Sequence, residues 1–198
     1  MMGSDVIISA RGRFRRSPPL LVLTDLQREH VTPGRPYAVE NPERAIEACT
    51  RLLEAAREER VAIAHFRRLE ADLFFNEHDV HSEWVEAVRP RPGEMVFAHE
   101  LPSCYASEAF ERFIGHVRAP SLIMAGFGAE HTGIATAIDA AKRGHDIWFV
   151  SDASASCPHG GSVSHLAVCA IVGQYAGLFT TEEALREIKR AERRAATS

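Results

Sequence analysis

The sequence predicts an α/β fold built on a parallel sheet. Short runs that are apolar almost throughout recur along the chain, as is typical of strands buried on both faces, at 20–24, 61–64, 95–98, 122–125, 147–150 and 178–179. Stretches with the apolar spacing of amphipathic helices separate most of these runs. This strand–helix–strand order is that of the parallel βαβ unit, so we predict one sheet flanked by helices.

Composition limits the class of protein. The 198 residues suffice for one domain with a sizeable core, and the 45% hydrophobic content is typical of globular proteins. A net charge of −4 implies no general affinity for nucleic acid, and no apolar run approaches the ~20 residues of a membrane span. The four cysteines lack zinc-ligand spacing, so we expect reduced thiols in a cytoplasmic protein and no bound metal or cofactor.

The chain is expected to divide into a basic N-terminal arm, residues 1–17, and one folded domain, residues 18–198. The arm carries four arginines and lacks the apolar segment of a secretory signal. We expect it to be solvated or packed against another subunit, and contact with an acidic partner surface is the alternative.

The stretch from Ser121 to Asp139 organises the predicted site. Its apolar run ends in Gly126-Phe127-Gly128, and a helical pattern follows at once, which predicts a strand, a tight turn and a helix. Ligands of open α/β sheets bind outside the carboxyl ends of the strands. Thr132 is expected near the start of this helix, where free backbone N–H groups and the helix dipole favour negative charge.

Two other groups are predicted at the same edge of the sheet. Asp25 follows the first predicted strand, and His99 follows the third. The carboxyl ends of parallel strands meet at one edge, so both side chains can approach Thr132. The alternative for Asp25 is that it only caps the next turn.

Residues 67–92 are predicted to form a long irregular segment anchored by Trp84, because a large aromatic ring buries much area in one place. Its His78-Asp79-Val80-His81 run offers metal-ligating side chains. A metal site also needs preorganised ligands, so a solvated loop is the favoured interpretation.

The sequence resembles the isochorismatase-like hydrolases, also called the cysteine hydrolase superfamily. The resemblance spans about residues 18–180, and the matching segments are 21–27, Pro90-Arg91-Pro92-Gly93-Glu94 leading to His99, 126–132, 136–140 and 150–153. It implies a six-stranded parallel sheet with helices on both faces, a Rossmann-like three-layer arrangement. It also implies a small-molecule substrate and homo-oligomers, either dimers or tetramers, with active sites near subunit contacts.

Amidases of this family use an Asp to activate a nucleophilic Cys and a Lys to stabilise charge. Asp25 matches the Asp, whereas His99 stands at the Lys position and Thr132 at the Cys position. By resemblance, a cis peptide at Phe127-Gly128 would help to form the oxyanion hole. The expected substrate-binding residues are Phe127, Gly128, Arg67, Trp84 and Tyr105, with Arg68 beside Arg67 as a further cation.

Three hypotheses about function follow. In the first, Asp25 orients His99, His99 takes the proton from Thr132, and Thr132 attacks an amide-type C–N bond, as in Ser-His-Asp enzymes. In the second, Asp25 is the general acid for Cys-independent hydrolysis of a vinyl ether, the isochorismatase type of reaction. In the third, the chain is a catalytically silent member that binds a small molecule or a protein.

Overall fold

The computed structural model describes residues 19–71, 74–117, 120–157 and 164–195. The predicted basic arm, residues 1–17, lies outside these ranges. Within them six strands form a single parallel sheet: β1 (Pro19–Thr24), β2 (Ala62–Arg68), β3 (Met95–His99), β4 (Ser121–Gly126), β5 (Asp146–Ser154) and β6 (Gly177–Phe179). The described helices are α1 (Pro42–Glu58), α2 (Glu108–Gly115), α3 (Ile134–Arg143), α4 (His165–Val172) and α5 (Thr181–Ala195).

The strand order is β3-β2-β1-β4-β5-β6. The chain therefore moves outwards in one direction from β1 through β2 to β3, and in the other from β4 through β5 to β6. The reversal falls between β1 and β4, and it is the place where open parallel sheets bind their ligands. The predicted fold class is confirmed.

Alternate residues of each strand face opposite layers, because successive side chains of a strand point to opposite faces. Leu21 and Leu23 of β1 pack in the core under α1 and α5. Leu20 and Val22 pack in the second core, under α2, α3 and α4. This explains why β1 is apolar at every position rather than at alternate ones.

Glycine and side-chain caps mark the ends of the helices, with one exception. Gly144 ends α3 with a φ of +68°, and the side chains of Thr180 and Glu183 form a capping box at the start of α5. Asn41 precedes α1, but it adopts φ +50° and its side chain makes no capping hydrogen bond. Pro42, the first residue of α1, has no N–H. The start of the helix therefore has one unpaired N–H group fewer to be capped.

Several predicted boundaries were wrong by a few residues. β2 extends to Arg68, so Arg67 belongs to a strand rather than to the following loop. His99 is the last residue of β3, and β5 continues past Asp152 to Ser154. After β3 the chain forms a 3-10 turn at Cys104–Ala106 and then α2.

The segment between β2 and β3 is tied to the sheet by Gln27. The amide nitrogen of Gln27 donates to the carbonyls of Arg68 and Ser82, both at 3.0 Å, and its oxygen accepts from the Arg68 N–H at 2.8 Å. The backbone of Gln27 also pairs with Trp84, which is buried. The prediction that Trp84 anchors this segment is confirmed. None of the helices in the described ranges has the length and apolarity that a membrane span requires.

Candidate active site

Asp25 stands at the point where the chain leaves β1 at the reversal of strand order. It adopts a left-handed conformation, with a φ of +53°, and its N–H donates to the Phe66 carbonyl at 2.9 Å. Its side chain is buried. A residue other than glycine in this region of φ is uncommon, and such residues concentrate at functional sites.

The structure brings the three predicted catalytic residues together. The Thr132 hydroxyl donates to Oδ2 of Asp25 at 2.6 Å, and Nε2 of His99 donates to Oδ1 at 2.8 Å. The exposed fractions are 1% for Asp25, 3% for His99 and 2% for Thr132. The two partners therefore occupy different oxygens of one carboxylate in a place that bulk water does not reach.

The order of these hydrogen bonds differs from the predicted one. We expected His99 between Asp25 and Thr132, whereas Asp25 lies between the other two. Nδ1 of His99 also donates, to the Leu101 carbonyl at 3.0 Å. Both acceptors are oxygens without a proton to give, so both ring nitrogens carry hydrogen and His99 is an imidazolium. A ring with no free lone pair cannot take the Thr132 proton.

Electrostatics supports this protonation state. Burial alone would lower the pKa of His99, but attraction to Asp25 and the hydrogen bonds to Asp25 and Leu101 outweigh it, and the pKa is raised. Burial alone would likewise raise the pKa of Asp25, yet the charge of His99 and the hydrogen bonds from His99 and Thr132 lower it. The pair is therefore an ion pair near neutral pH, and His99 carries the positive charge that the family's Lys would carry.

Two glycines shape the turn beside Asp25. Gly126 has a φ of +130°, and a Cβ there would lie 2.1 Å from the Thr24 carbonyl oxygen. At Gly128, with a φ of +66°, a Cβ would come within 3.1 Å of Asp25 Oδ2 and 3.5 Å of the Thr132 hydroxyl. Only glycine adopts these backbone angles readily and has no Cβ that would crowd Thr24 or Asp25. The turn therefore requires glycine at both positions.

Phe127, between the two glycines, is held by hydrogen bonds with the backbone and the side chain of Thr24. The Phe127 N–H donates to the Thr24 carbonyl at 2.8 Å, and the Thr24 hydroxyl donates to the Phe127 carbonyl at 3.2 Å. The Phe127-Gly128 peptide is trans, so the cis bond expected from the family resemblance is absent at this position.

Thr132 lies in one π-helical turn, Ala129–Gly133, that leads directly into α3. The N–H groups of His131 and Gly133 both donate to the Gly128 carbonyl, at 3.0 and 3.2 Å, and the Ala129 N–H donates to Ala155 at 3.2 Å. These three donors are therefore already engaged. π-Helical turns often occur at functional sites, and this one places the Thr132 hydroxyl against Asp25.

His30 is a residue of the site that sequence reasoning missed. It is buried five positions after Asp25, and its ring centroid lies 5.5 Å from that of Phe127. Its Nδ1 donates to the Tyr37 carbonyl at 2.9 Å, whereas its Nε2 has no hydrogen-bond partner among the described residues. Burial lowers the pKa of His30 despite the opposing charges of Asp25 and Glu130, so Nε2 is a free acceptor. No residue spacing of known meaning marks His30 in the sequence.

The other predicted substrate-binding residues contact partners outside the trio. Arg67 forms an ion pair with Glu77 at 3.8 Å. Trp84 packs edge-on against His65, with centroids 5.8 Å apart. The Tyr105 hydroxyl shares a 2.8 Å hydrogen bond with Nδ1 of His145, which precedes β5 at the opposite edge of the sheet.

Arg68 is the neighbouring cation of interest. Its guanidinium lies over the rings of Tyr37 and Phe75, at 5.1 and 4.6 Å from their centroids. It is also near enough to oppose the protonation of His99. Arg68 therefore has a stronger electrostatic effect on the trio than Arg67, which was the predicted substrate-binding residue.

The His78–His81 run forms a short capped turn in the structure. Asp79 accepts hydrogen bonds from the N–H and Nδ1 of His81, both at 2.9 Å, and caps a short 3-10 turn. Across the described ranges, no group of three or more His, Cys, Asp or Glu side chains has the geometry to hold a metal ion.

Known proteins resemble this chain in both sequence and structure. The family profile of the isochorismatase domain matches residues 19–183. No curated protein matches the sequence significantly. A cysteine hydrolase from Pseudomonas syringae pv. phaseolicola superposes with a TM-score of 0.81 at 19% identity, over 91% of this chain and 97% of the other.

Two further solved structures have the same fold. A putative hydrolase of the isochorismatase family from Chromobacterium violaceum gives a TM-score of 0.74 at 23% identity, over 87% of this chain and 94% of the other. The MAR1 ribonuclease from Caenorhabditis elegans gives 0.72 at 18%, over 94% of each chain. At such identities these similarities establish the fold alone.

The buried Asp25 carboxylate lies where the strand order reverses, and it accepts a hydrogen bond from the Thr132 hydroxyl just before α3. The protein is therefore an α/β protein with its site at the switch point of a parallel sheet. The family profile, which covers most of the chain, makes the assignment more specific. The chain belongs to the isochorismatase family, whose members are typically hydrolases.

Proposed function

We propose that this protein hydrolyses a C–N bond of the amide type in a small molecule, with Thr132 as nucleophile, Asp25 as base and His99 as a fixed cation. The observation that carries the proposal is the 2.6 Å hydrogen bond from the Thr132 hydroxyl to Asp25. A threonine is a weak nucleophile until a base is placed against its proton, and here a carboxylate is so placed.

In the proposed reaction the Thr132 oxygen attacks the carbonyl carbon while its proton passes to Asp25. The C–N bond then breaks, and the amine leaves with the proton returned by Asp25. Water hydrolyses the resulting ester of Thr132, and Asp25 again takes and returns a proton. Because His99 lowers the pKa of Asp25, it weakens this base but keeps it ionised, and its positive charge stabilises the negative charge that builds up during attack.

The residues proposed to face the substrate are Phe127, Gly128 and His30. Gly128 borders both Asp25 Oδ2 and the Thr132 hydroxyl. His30 offers an unpaired acceptor, Nε2, which suits an N–H donor such as the NH2 of a carboxamide. A buried acceptor without a partner costs about 1–3 kcal/mol, so a role in binding explains its retention.

Vinyl-ether hydrolysis with Asp25 as general acid is the second candidate. It is favoured by His99 being an imidazolium, because members that run this reaction keep a cation at that position. The lowered pKa of Asp25 argues against it, since a general acid must hold a proton at the working pH.

Binding without turnover is the third candidate. It is favoured by burial, because the trio is at most 3% exposed and a substrate could reach Thr132 only after some displacement of neighbouring groups. Such a protein would show ligand-dependent thermal stabilisation in the absence of product.

The deciding experiment measures product release from small amides, carbamoyl compounds and isochorismate by wild type, Asp25→Asn, Thr132→Ala and Thr132→Ser. We expect amide cleavage to fall at least a hundredfold in the first two variants and to survive within tenfold in Thr132→Ser, which keeps the hydroxyl. Full amide activity in Thr132→Ala would sink the nucleophilic role. Isochorismate cleavage lost only in Asp25→Asn would establish the acid route instead.

We also propose that the protein works as a homo-oligomer in the cytoplasm. The first point is supported by apolar side chains left exposed on α4 and β6, Leu166 and Leu178 among them. The second is supported by the four cysteines, which are all buried and form no disulfide, as suits a reducing compartment.

A further inference from the structure

A second cluster of reactive groups lies at the carboxyl end of β5, outside the Asp25 site. The Ser156 hydroxyl and Nδ1 of His165 are 3.0 Å apart, and Nε2 of His165 lies 2.8 Å from the Ser151 carbonyl oxygen. Ser156 is 9% exposed. The function proposed above makes no use of these residues.

The hydrogen bonds fix the tautomer of His165. A carbonyl oxygen only accepts, so Nε2 carries the hydrogen in the bond to Ser151. In the neutral ring Nδ1 then has a lone pair, and the Ser156 hydroxyl donates to it. In serine hydrolases a carboxylate holds the histidine in the required tautomer, and here a backbone carbonyl does so. The sulfur of Cys169 lies 3.5 Å from Nε2 and shares this hydrogen weakly.

The cluster opens onto a cavity of about 800 Å³. The start of α4, at Ser164, His165 and Leu166, forms one wall, and the amino end of α1 forms another. Helix amino ends present N–H groups and a positive dipole, which stabilise a developing oxyanion. Ala45, Ala155 and Cys169 give the cavity an apolar lining that suits a short acyl chain.

We infer that Ser156 and His165 form a second hydrolytic site, which transfers the acyl group of a small carboxylic ester to water. The Ser156 oxygen bonds to the ester carbonyl carbon as its proton passes to Nδ1 of His165. The ester C–O bond breaks, and the alcohol leaves with that proton. Water then attacks the acyl-serine, gives its proton to Nδ1, and releases the carboxylic acid and the free Ser156 hydroxyl.

Ser154 provides a matched control within the same cavity. It lines the same cavity, but its hydroxyl donates to the Val150 carbonyl at 2.8 Å instead of to a base. Thr132→Ala separates the two sites, because Thr132 belongs to the Asp25 trio.

The test uses p-nitrophenyl acetate turnover and labelling by a fluorophosphonate, located by mass spectrometry. We expect the label on Ser156, and at least a tenfold loss of ester turnover in Ser156→Ala but not in Ser154→Ala or Thr132→Ala. Turnover lost in Thr132→Ala and kept in Ser156→Ala would assign the esterase activity to the first site and overturn the inference. Absence of both label and turnover in wild type would also overturn it.

A second variant guards against misfolding of Ser156→Ala. In Ser156→Cys a thiol would face Nδ1 of His165, so at pH 7 iodoacetamide should alkylate Cys at position 156 at least tenfold faster than the four native thiols, all of which are buried. Equal alkylation rates in a variant with the wild-type melting temperature would show that His165 does not activate the group at position 156.

Discussion

At the scale of the single residue, the two oxygens of Asp25 decide what its neighbours can do. His99 holds Oδ1 and Thr132 holds Oδ2, so the histidine and the threonine act through the carboxylate and not on each other. His99 is thereby a charge, as a lysine would be, although a neutral histidine would have been the obvious choice for a base. The same residue type thus has opposite roles at positions 99 and 165, set by whether its second nitrogen faces a carboxylate or a hydroxyl.

The charge of His99 should be visible in the pH dependence of stability. The pKa of His99 is raised in the folded state, so its contribution is complete below its unfolded pKa of about 6.5 and is lost as pH rises through the higher folded value. Asp25, with its lowered pKa, contributes above its unfolded pKa and loses that contribution as pH falls through the folded value. The ion pair is therefore strongest between about pH 4 and 6.5.

We expect His99→Gln to lower the free energy of unfolding by about 3 kcal/mol at pH 5.5, as for a broken buried ion pair. The difference from wild type should shrink towards alkaline pH. Urea unfolding at several pH values measures it. His131→Gln is the control, because that side chain is 54% exposed and its replacement should cost under about 0.5 kcal/mol at every pH. A difference that stays constant or grows with pH would contradict the imidazolium assignment.

At the scale of the element, hydrogen bonds between polar side chains fix the position of the sheet relative to its helices, which apolar packing alone would not do. Glu94, just before β3, accepts from Arg57 of α1 at 2.7 and 3.0 Å and from His65 of β2 at 2.8 Å. Burial would raise the pKa of Glu94, but Arg57 and the N–H of Arg91 lower it to about 2. The Pro90–Glu94 segment, matched to the family by sequence, therefore has a structural role: it fixes the strand that carries His99.

The turn after β4 gives the sharpest test at this scale. Gly126→Ala would place a methyl group 2.1 Å from the Thr24 carbonyl oxygen at a φ of +130°. We expect a loss of at least about 3 kcal/mol in the free energy of unfolding, because both the backbone angle and the contact must change. Thr24 belongs to β1, so the shift would reach Asp25 and reduce turnover as well.

Gly144→Ala is the matched control for this turn. Its φ of +68° is also positive, but nothing lies within 4 Å of the added methyl group. It should cost about 1 kcal/mol, the ordinary penalty of a left-handed residue, and leave turnover unchanged. Chemical unfolding measures both variants. Equal losses of unfolding free energy would show that the chain around Gly126 shifts at no cost to relieve the contact with Thr24.

At the scale of the whole molecule, the sequence predicted the layers and the edge of the sheet at which the site lies. Apolar runs fixed the strands, and the rule that parallel strands end together brought Asp25, His99 and Thr132 to one place. It could not predict which atoms pair, because that depends on the left-handed backbone of Asp25 and the π-helical turn around Thr132, and long-range contacts set both. Nor could it find His30 or the pairing of Ser156 with His165, since neither follows a residue spacing of known meaning.

The exposed surface of α4 and β6 is the last feature at this scale. Four apolar side chains are exposed here, namely Leu166 (80%), Leu178 (45%), Tyr175 (44%) and Ile171 (38%). They form what we call the α4–β6 face, and β6 is a terminal strand of the sheet. An apolar face beside an open strand edge is the usual place for a second copy to pack.

We therefore expect the protein to sediment as an oligomer, and the double variant Leu166→Glu/Leu178→Glu to shift it to the monomer. Buried glutamates would lose their hydration without a partner, which costs more than the apolar contact gains. Val80→Glu is the control, because Val80 is 55% exposed but lies in the loop before β3. Sedimentation velocity at several concentrations distinguishes the outcomes. A monomeric wild type would refute the proposal, and an oligomer that survives the double variant would place the interface elsewhere.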